Sequence, residues 1–311
     1  MKYAKIKQQD AQAFLKTHKN NIDFNYKIKK DKNYVYFPLK VELNDVVIVQ
    51  MEGEKYRNED HKRIGSFDFL GDSVVVNESP EGDRYIIDYL LTRYKLKNIF
   101  KKTHKVDGSY RVRGLKRIYG SSNIVEYKEN GIRMRFDITR VFFSPRLAHE
   151  RERVAKLVKP NEHVLVLFAG VGPFSLLIGK TCPTCVVASI ELNPEAVKYF
   201  KQNIKLNKLK NVSIIEGDVK EKIHMFNQWA DRIIMPLPKD AEYFLKDVES
   251  VVKRGTIIHF YTFCSRKNSF NEARNKILKN FSRKIKILNI KKVKEYSPSV
   301  DQIVVDFEVV E

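Results

Sequence analysis

The stretch Phe168-Ala169-Gly170-Val171-Gly172-Pro173-Phe174 constrains this chain more than any other. It follows Val164–Phe168, a continuous apolar run of the kind found in a parallel strand buried on both faces. Glycines at that point let the backbone turn sharply into a helix and let a ligand approach it closely. Similar runs recur at Val186–Ile190, Val212–Ile215 and Arg232–Met235, with helical segments between them. The clearest helix is Pro194–Leu206. Asn193 stands where a cap belongs, Pro194 suits the first turn, and Val197, Phe200 and Ile204 fall on one face. Strands alternating with helices predict an α/β sheet with right-handed crossovers.

Two acids extend the glycine pattern. Glu191 ends the second strand 19 positions after Gly172, where a carboxylate can accept hydrogen bonds from ribose hydroxyls. Asp218, after the third strand, is placed to reach an adenine edge. Together they predict an adenosine-containing ligand at the carboxyl ends of the strands, lined by Phe168, Ala169, Gly170, Gly172, Glu191 and Asp218. A nicotinamide cofactor and S-adenosylmethionine both satisfy this. Ser175 stands where the dinucleotide fingerprint has its third glycine, and the fourth strand ends in Met235-Pro236-Leu237-Pro238, a rigid loop at the ligand edge. These two features favour S-adenosylmethionine, with Pro236 and Leu237 added to its contacts.

Charge narrows the partner. Lys plus Arg total 58 against 38 Asp plus Glu, a formal +20. The excess is concentrated: Arg93–Arg117 holds ten basic residues and one acid, and Arg266–Lys294 holds eleven and one. Two single-sign runs repel unless a polyanion neutralises them, which points to nucleic acid and to salt-sensitive binding. No apolar run approaches the roughly 18 residues of a membrane span, and the N-terminus lacks the apolar stretch of a secretory signal. A soluble, cytoplasmic protein is expected. Three cysteines do not make a disulfide scaffold. The lone Cys182-x-x-Cys185 has no complement of ligands, so an ordinary loop or a local disulfide is expected and no metal.

The N-terminal half is organised differently. A helix fits Asp10–His18, strands fit Tyr34–Leu39 and Asp45–Gln50, and the polar stretch Glu52–Arg63 reads as a linker. A second unit follows, with a strand at Ser73–Asn77 and a helix over Arg84–Tyr94. From Ile118 to Phe143 alternation predicts antiparallel strands turning at Glu129-Asn130-Gly131.

Several stretches carry a family resemblance. They are Phe143-Ser144-Pro145-Arg146-Leu147 with Glu150-Arg151, the glycine loop, Asn203-Ile204-Lys205-Leu206-Asn207, Met235-Pro236-Leu237-Pro238-Lys239, His259-Phe260-Tyr261, and Tyr296-Ser297-Pro298 through Asp306-Phe307. The chain resembles the archaeal tRNA guanine-N1 methyltransferases that modify guanosine 37, over nearly its whole length. The resemblance implies a Rossmann-like S-adenosylmethionine-dependent methyltransferase domain (111–311), preceded by two small α+β domains: an N-terminal tRNA-binding domain (1–55) and a middle domain (62–110). It implies tRNA as partner, through the anticodon loop and the tRNA body, and a monomer with no stable protein partner. By the same resemblance Glu150 is the catalytic base, Arg111 stabilises charge on guanine O6 with Arg113 as fallback, and Arg113, Arg146 and Arg151 hold substrate.

Two departures from the family stand out. Val166 occupies a position where relatives often have an acid. Pro236, where many have Asn, resembles enzymes that also methylate C7 of 4-demethylwyosine, so Pro236 joins the catalytic set and a dual activity follows as a hypothesis. The alternatives are an aminocarboxypropyltransferase of the wyosine pathway, an inactive tRNA-binding protein, and a nicotinamide-dependent oxidoreductase.

Overall fold

The computed structural model describes residues 1–55, 66–77, 82–107, 110 and 112–311, with the side chains of 104–107 left aside. The chain divides into two compact units, Met1–Gly65 with Asp88–Tyr94, and Ser66–Ile87 with Lys95–Glu311.

In the first unit, β1 (Lys2–Lys7), β2 (Lys29–Lys30), β3 (Tyr34–Pro38) and β4 (Ile48–Gln50) form an antiparallel sheet in the order β2-β3-β1-β4, with helix α1 at Ala11–Thr17. Ala4, Phe14, Ile22 and Phe37 form its core. The expected strand at Asp45–Gln50 keeps only its last three residues.

The second unit begins with a four-stranded sheet of β5 (Asp68–Leu70), β6 (Ser73–Val76), β7 (Asn98–Asp107) and β8 (Val112–Tyr119); helix α2 (Gly82–Arg93), between β6 and β7 along the chain, is divided between the two units after Ile87. β8 pairs antiparallel with β7. Residue 110 therefore falls inside a hairpin, and the strand after it belongs to this sheet. The first basic run spends much of its length on that hairpin. β9 (Ile124–Glu129) and β10 (Ile132–Asp137) form the second hairpin, turning where expected. Asn130 and Gly131 both have positive φ, 45° and 80°, as a two-residue turn matched to strand twist requires.

The main sheet contains β11 (His163–Leu167), β12 (Val186–Glu191), β13 (Ile215–Glu216), β14 (Arg232–Met235), β15 (Ile257–Ser265), β16 (Ile285–Ser297) and β17 (Val300–Val309), in the order β13-β12-β11-β14-β15-β17-β16. The first five run parallel; β17 lies antiparallel to both β15 and β16. Helices α3 (Ala148–Leu157), α4 (Pro173–Thr181), α5 (Pro194–Leu206), α6 (Val219–Lys222), α7 (Leu245–Glu249) and α8 (Ser269–Asn280) complete the unit. Both faces are covered. Val164 and Val166 pack with Leu176 and Phe200 on one side, and Leu165 and Leu167 pack with Ile233 and Phe260 on the other. This is why β11 reads as an unbroken apolar run. The sheet grows from β11 in both directions, so the strand order reverses between β11 and β14. Doubly wound sheets bind ligands at such a reversal, outside the carboxyl ends of the strands.

Cys182 and Cys185 form a local disulfide and Cys264 is buried as a free thiol. Among the described residues, no helix is long and apolar enough to cross a membrane.

Candidate active site

Beyond Leu167 the chain turns through three left-handed residues, Phe168 (φ 54°), Gly170 (φ 58°) and Gly172 (φ 90°), before Pro173 opens α4. The two glycines are needed for different reasons. A Cβ on Gly172 would lie within 2.7 Å of three ring atoms of buried Phe200, whereas one on Gly170 would meet only the Phe142 carbonyl, at 3.8 Å. The exposed side of the turn is therefore open backbone. Ala169 N–H donates to Ile190 O at 3.1 Å, and the Phe168 ring packs edge-on against Phe244.

Glu191 closes the loop. Its carboxylate accepts the Gly170 N–H at 2.7 Å and the Asn193 N–H at 2.8 Å. Burial pushes its pKa up, and these backbone donors only partly offset that. Asn193 caps α5 through Glu195 N–H and donates to the Arg140 carbonyl, holding the 140–142 segment against the site. Asp218 accepts the Lys220 N–H at 2.8 Å as the cap of α6. Across the switch point, Leu237 N–H reaches Met235 O and Phe263 N–H reaches Pro238 O, which fixes the proline loop. Each carboxylate has lone pairs beyond those used, and Gly170 leaves the backbone uncovered. Residues and loop thus fit the ribose and base of an adenosine-containing cofactor. Val166, where the family resemblance leads one to expect an acid, is buried in the apolar core.

A cluster of cations stands beside this loop. Buried Asp68 accepts from Arg146 Nε at 2.5 Å and lies 3.9 Å from Arg113 Nη1. The Arg113 guanidinium sits 4.7 Å over the Phe142 ring, so only the Phe142 residue separates it from Gly170. Lys294 belongs to the same group: burial, then Arg113 and Arg146, pull its pKa down to about 8. Burial also lowers Arg113 and Lys102, with Asp68 opposing both shifts. Four cations share one acid, an arrangement that an anion would relieve.

Arg151 is not part of this surface. It is 2% exposed, forks onto both oxygens of Glu129 at 2.5 Å each, and also donates to Ser144 O. Its fork is used up in the core, which leaves no face for a substrate. Arg111 lies outside the described residues.

Glu150, on the first turn of α3, is also buried. Tyr261 Oη donates to its Oε1 at 2.6 Å, Arg153 Nη2 to the same oxygen at 2.7 Å, and Arg153 Nε to Oε2 at 2.9 Å. An ionised carboxylate has about four acceptor sites, so one is left for a fourth donor. Sequence reading gave Tyr261 only as part of the family-like stretch His259-Phe260-Tyr261 and did not single out Arg153. It also gave no reason for Asn203 and Asn207, whose role is now plain. Four positions apart, Asn203 in α5 and Asn207 capping its end, they face one way. Asn203 accepts Arg135 N–H and donates to Val171 O, and Asn207 accepts Arg133 N–H and donates to Arg133 O. They pair with the β10 edge as a neighbouring strand would, and tie the hairpin to the glycine loop.

Comparison with known proteins adds a second line of evidence. Residues 125–290 match the family described as the TRM5/TYW2 methyltransferase domain, and residues 5–47 match the tRNA methyltransferase 5 N-terminal domain. The chain is 35% identical to the tRNA (guanine(37)-N(1))-methyltransferase Trm5b of Pyrococcus abyssi, over 93% of this chain and 92% of that one. A Nanoarchaeum equitans relative, the tRNA (guanine(37)-N(1))/4-demethylwyosine(37)-methyltransferase Taw22, is 31% identical over 65% of this chain and 85% of its own. A solved structure titled as the complex of aTrm5 and tRNALeu matches with a TM-score of 0.71 and 31% identity, covering 99% of each chain.

Proposed function

The chain belongs to the TRM5/TYW2 methyltransferase family, and from that premise we propose that it methylates N1 of guanosine 37 in tRNA, with S-adenosylmethionine as donor. The observation that carries this reading is the meeting of two sites at one residue: Phe142 places its carbonyl beside Gly170 and its ring under Arg113. An adenosine-binding loop and a phosphate-binding cluster therefore adjoin.

The cofactor supplies an electrophilic methyl group. The protein's own residues do the rest. Glu191 accepts the ribose hydroxyls, Asp218 takes the adenine edge, and the Phe168–Gly172 turn with Pro236 and Leu237 shapes the remainder of the cofactor site. Guanine N1 carries a proton and is a poor nucleophile until that proton leaves. Glu150 takes it at its free acceptor site, the N–H electron pair becomes the new N1–C bond, and the pair of the broken methyl–sulfur bond would stay on sulfur, the donor departing as a neutral thioether. Charge shifts toward O6 as this happens, and Arg113 stabilises it. Arg111 is the other residue suited to that role. Arg146 holds an anticodon-loop phosphate, for which its planar fork is suited. No covalent intermediate is required, so positioning carries most of the catalysis.

Within this reading residues 1–55 contact the tRNA body, a middle domain begins at residue 62, and the catalytic domain begins after Tyr119 instead of at residue 111, since β8 pairs with β7. Every proposed site residue lies in the second unit of one chain, which suits a monomer, and a tRNA substrate suits a protein of the cytoplasm. A second activity, methylation of C7 in 4-demethylwyosine, is favoured by Pro236. Proline has no amide to offer guanine, and the relative Taw22 is named for both reactions. The match of residues 5–47 supports methyl transfer over aminocarboxypropyl transfer.

The test is mass spectrometry of nucleosides from tRNA incubated with the protein and S-adenosylmethionine. One added methyl on a guanosine-37 transcript is expected, and a methyl on precursor-bearing tRNA would establish the second activity. An aminocarboxypropyl adduct, or no modification of either tRNA, refutes the assignment.

A further inference from the structure

Behind Glu150 runs a polar chain through the core of the main sheet. Arg153, one turn further along α3, donates to both Glu150 oxygens. The same guanidinium donates to both oxygens of Asp306 on β17, at 2.7 and 3.2 Å. Asp306 is itself held. Asn289 donates to it at 3.1 Å from a point where a register shift in β16 sets Asn289 opposite Asp306. His259 Nδ1 lies 2.6 Å from it. On its other side, His259 Nε2 is 2.8 Å from Arg232 Nη1, and Arg232 forks onto Glu162 at 2.7 and 2.9 Å.

Arginine can only donate. His259 Nε2 therefore accepts from Arg232, which puts the ring proton on Nδ1, facing Asp306. Burial likewise disfavours the charged ring. Tyr261 is held far above its ordinary pKa, first by burial and then by the Glu150 charge, so its hydroxyl stays a donor. The groups facing Glu150 are Arg153 on its own helix, Tyr261 from β15 and, behind Arg153, Asp306 from β17.

A buried carboxylate needs one good cation, not a chain. Here Arg153 divides its fork between two carboxylates, and the second is anchored on both oxygens. Arg153 therefore cannot follow Glu150 if Glu150 turns, and its charge is shared with Asp306. We propose that Arg153 and Tyr261 are positioning residues for Glu150: Asp306 clamps and partly neutralises Arg153, and the two donors leave the fourth acceptor site of Glu150 pointing at the substrate. This deepens the reading of Glu150 as the base and rests on it.

The opposing charges give a signed test, the acid limb of the single-turnover rate against pH, at saturating tRNA and S-adenosylmethionine. Tyr261→Phe keeps the packed ring and removes one donor to the carboxylate. The limb should move up by about one pH unit. Asp306→Asn leaves Arg153 uncompensated, and the limb should move down, with the rate falling roughly tenfold as the clamp loosens. A merely structural role lowers melting temperature and moves neither limb, and that result overturns the proposal, as would shifts of the same sign. If Tyr261→Phe fails to bind S-adenosylmethionine as a folded protein does, the Asp306→Asn shift decides alone. Glu150→Gln separates the premise: retained activity there refutes the base itself, whatever the other variants show.

Discussion

Gly170 and Gly172 are two residues apart in one turn, yet alanine should affect them in different ways. At Gly172 the backbone has φ 90° and the new Cβ would fall within 2.7 Å of three Phe200 ring atoms. A left-handed backbone costs an L-residue about 1–2 kcal/mol. Overpacking a filled core costs about 1–3 kcal/mol more. Phe200 is fully buried in α5, where Asn203 and the capping Asn207 pin the neighbouring hairpin, so the ring has little room to withdraw. Gly172→Ala should therefore destabilise the second unit by roughly 2–5 kcal/mol. At about 2–4 °C per kcal/mol, the melting temperature drops by about 4–20 °C. Gly170→Ala meets only a carbonyl at 3.8 Å, so it carries the backbone cost alone, about 1–2 kcal/mol.

The ranking reverses for the ligand. The Gly170 methyl enters the open side of the turn and should weaken S-adenosylmethionine by tenfold or more, about 1.4 kcal/mol. Gly172→Ala, where it remains folded, should bind nearly normally. Scanning calorimetry of the free variants and isothermal titration with S-adenosylmethionine measure the two effects separately. A Gly172→Ala protein melting within a degree of the parent would refute the packing argument. A Gly170→Ala protein with parental affinity would refute the placement of the cofactor against this turn.

Three further outcomes follow from the charges. Lys294 titrates near pH 8 and binds an anion only when protonated, so tRNA affinity should fall as pH rises through that value. Lys294→Gln should bind more weakly and lose this step in a filter-binding titration. Glu191, its pKa raised by burial, becomes protonated on acidification before an ordinary glutamate would, at about 4.3; S-adenosylmethionine affinity should therefore decline at a higher pH than that, and the Glu191→Gln variant should bind weakly without the decline. Glu162→Ala leaves the buried Arg232 guanidinium without its carboxylate and should cost about 3–5 kcal/mol in urea unfolding.

β11, β12, β14 and α5 were legible because a strand covered on both faces is apolar at most positions, and because Asn193 and Pro194 mark a helix start; the strand expected at Val212–Ile215 survives only as the Val187–Val212 bridge and the short β13 (Ile215–Glu216). Glu191 could be found because its partners in the glycine loop lie at a fixed distance along the chain. The β16–β17 hairpin was obscured by its composition. Lys286, Lys291, Lys292 and Lys294 made β16 read as a charge run, and Asp301 and Asp306 interrupt the apolar pattern of β17. The partners of Glu150 were equally hidden. Tyr261 is 111 positions away and Asp306 reaches Arg153 across 153. Sequence periodicity says nothing at that range, because strand order in the sheet decides which side chains meet.

The stretch from Arg146 to Arg153 shows how one short motif can serve several physical ends. Positions 150 and 153 share a face of α3, whereas 151 is about 200° around the helix from 153. Glu150 and Arg153 therefore turn toward β15 and β17, while Arg151 turns toward β9 and takes both oxygens of Glu129. Arg146, before the helix, reaches Asp68 in β5. Helix α3 is thereby fixed from two sides, by the hairpin through Arg151 and by the sheet through Arg153, and Glu150 inherits its position from both anchors. Each anchor uses a planar fork that spans two carboxylate oxygens at once, which an ammonium cannot do. Lysine at 151 or 153 would keep the charge and lose the second bond. A base held on one side only could swing with its helix. The need for arginine at 151 and 153 thus comes from holding an acid still, whereas Arg146, its side chain 45% exposed, is the one of the three that we propose meets the nucleic acid.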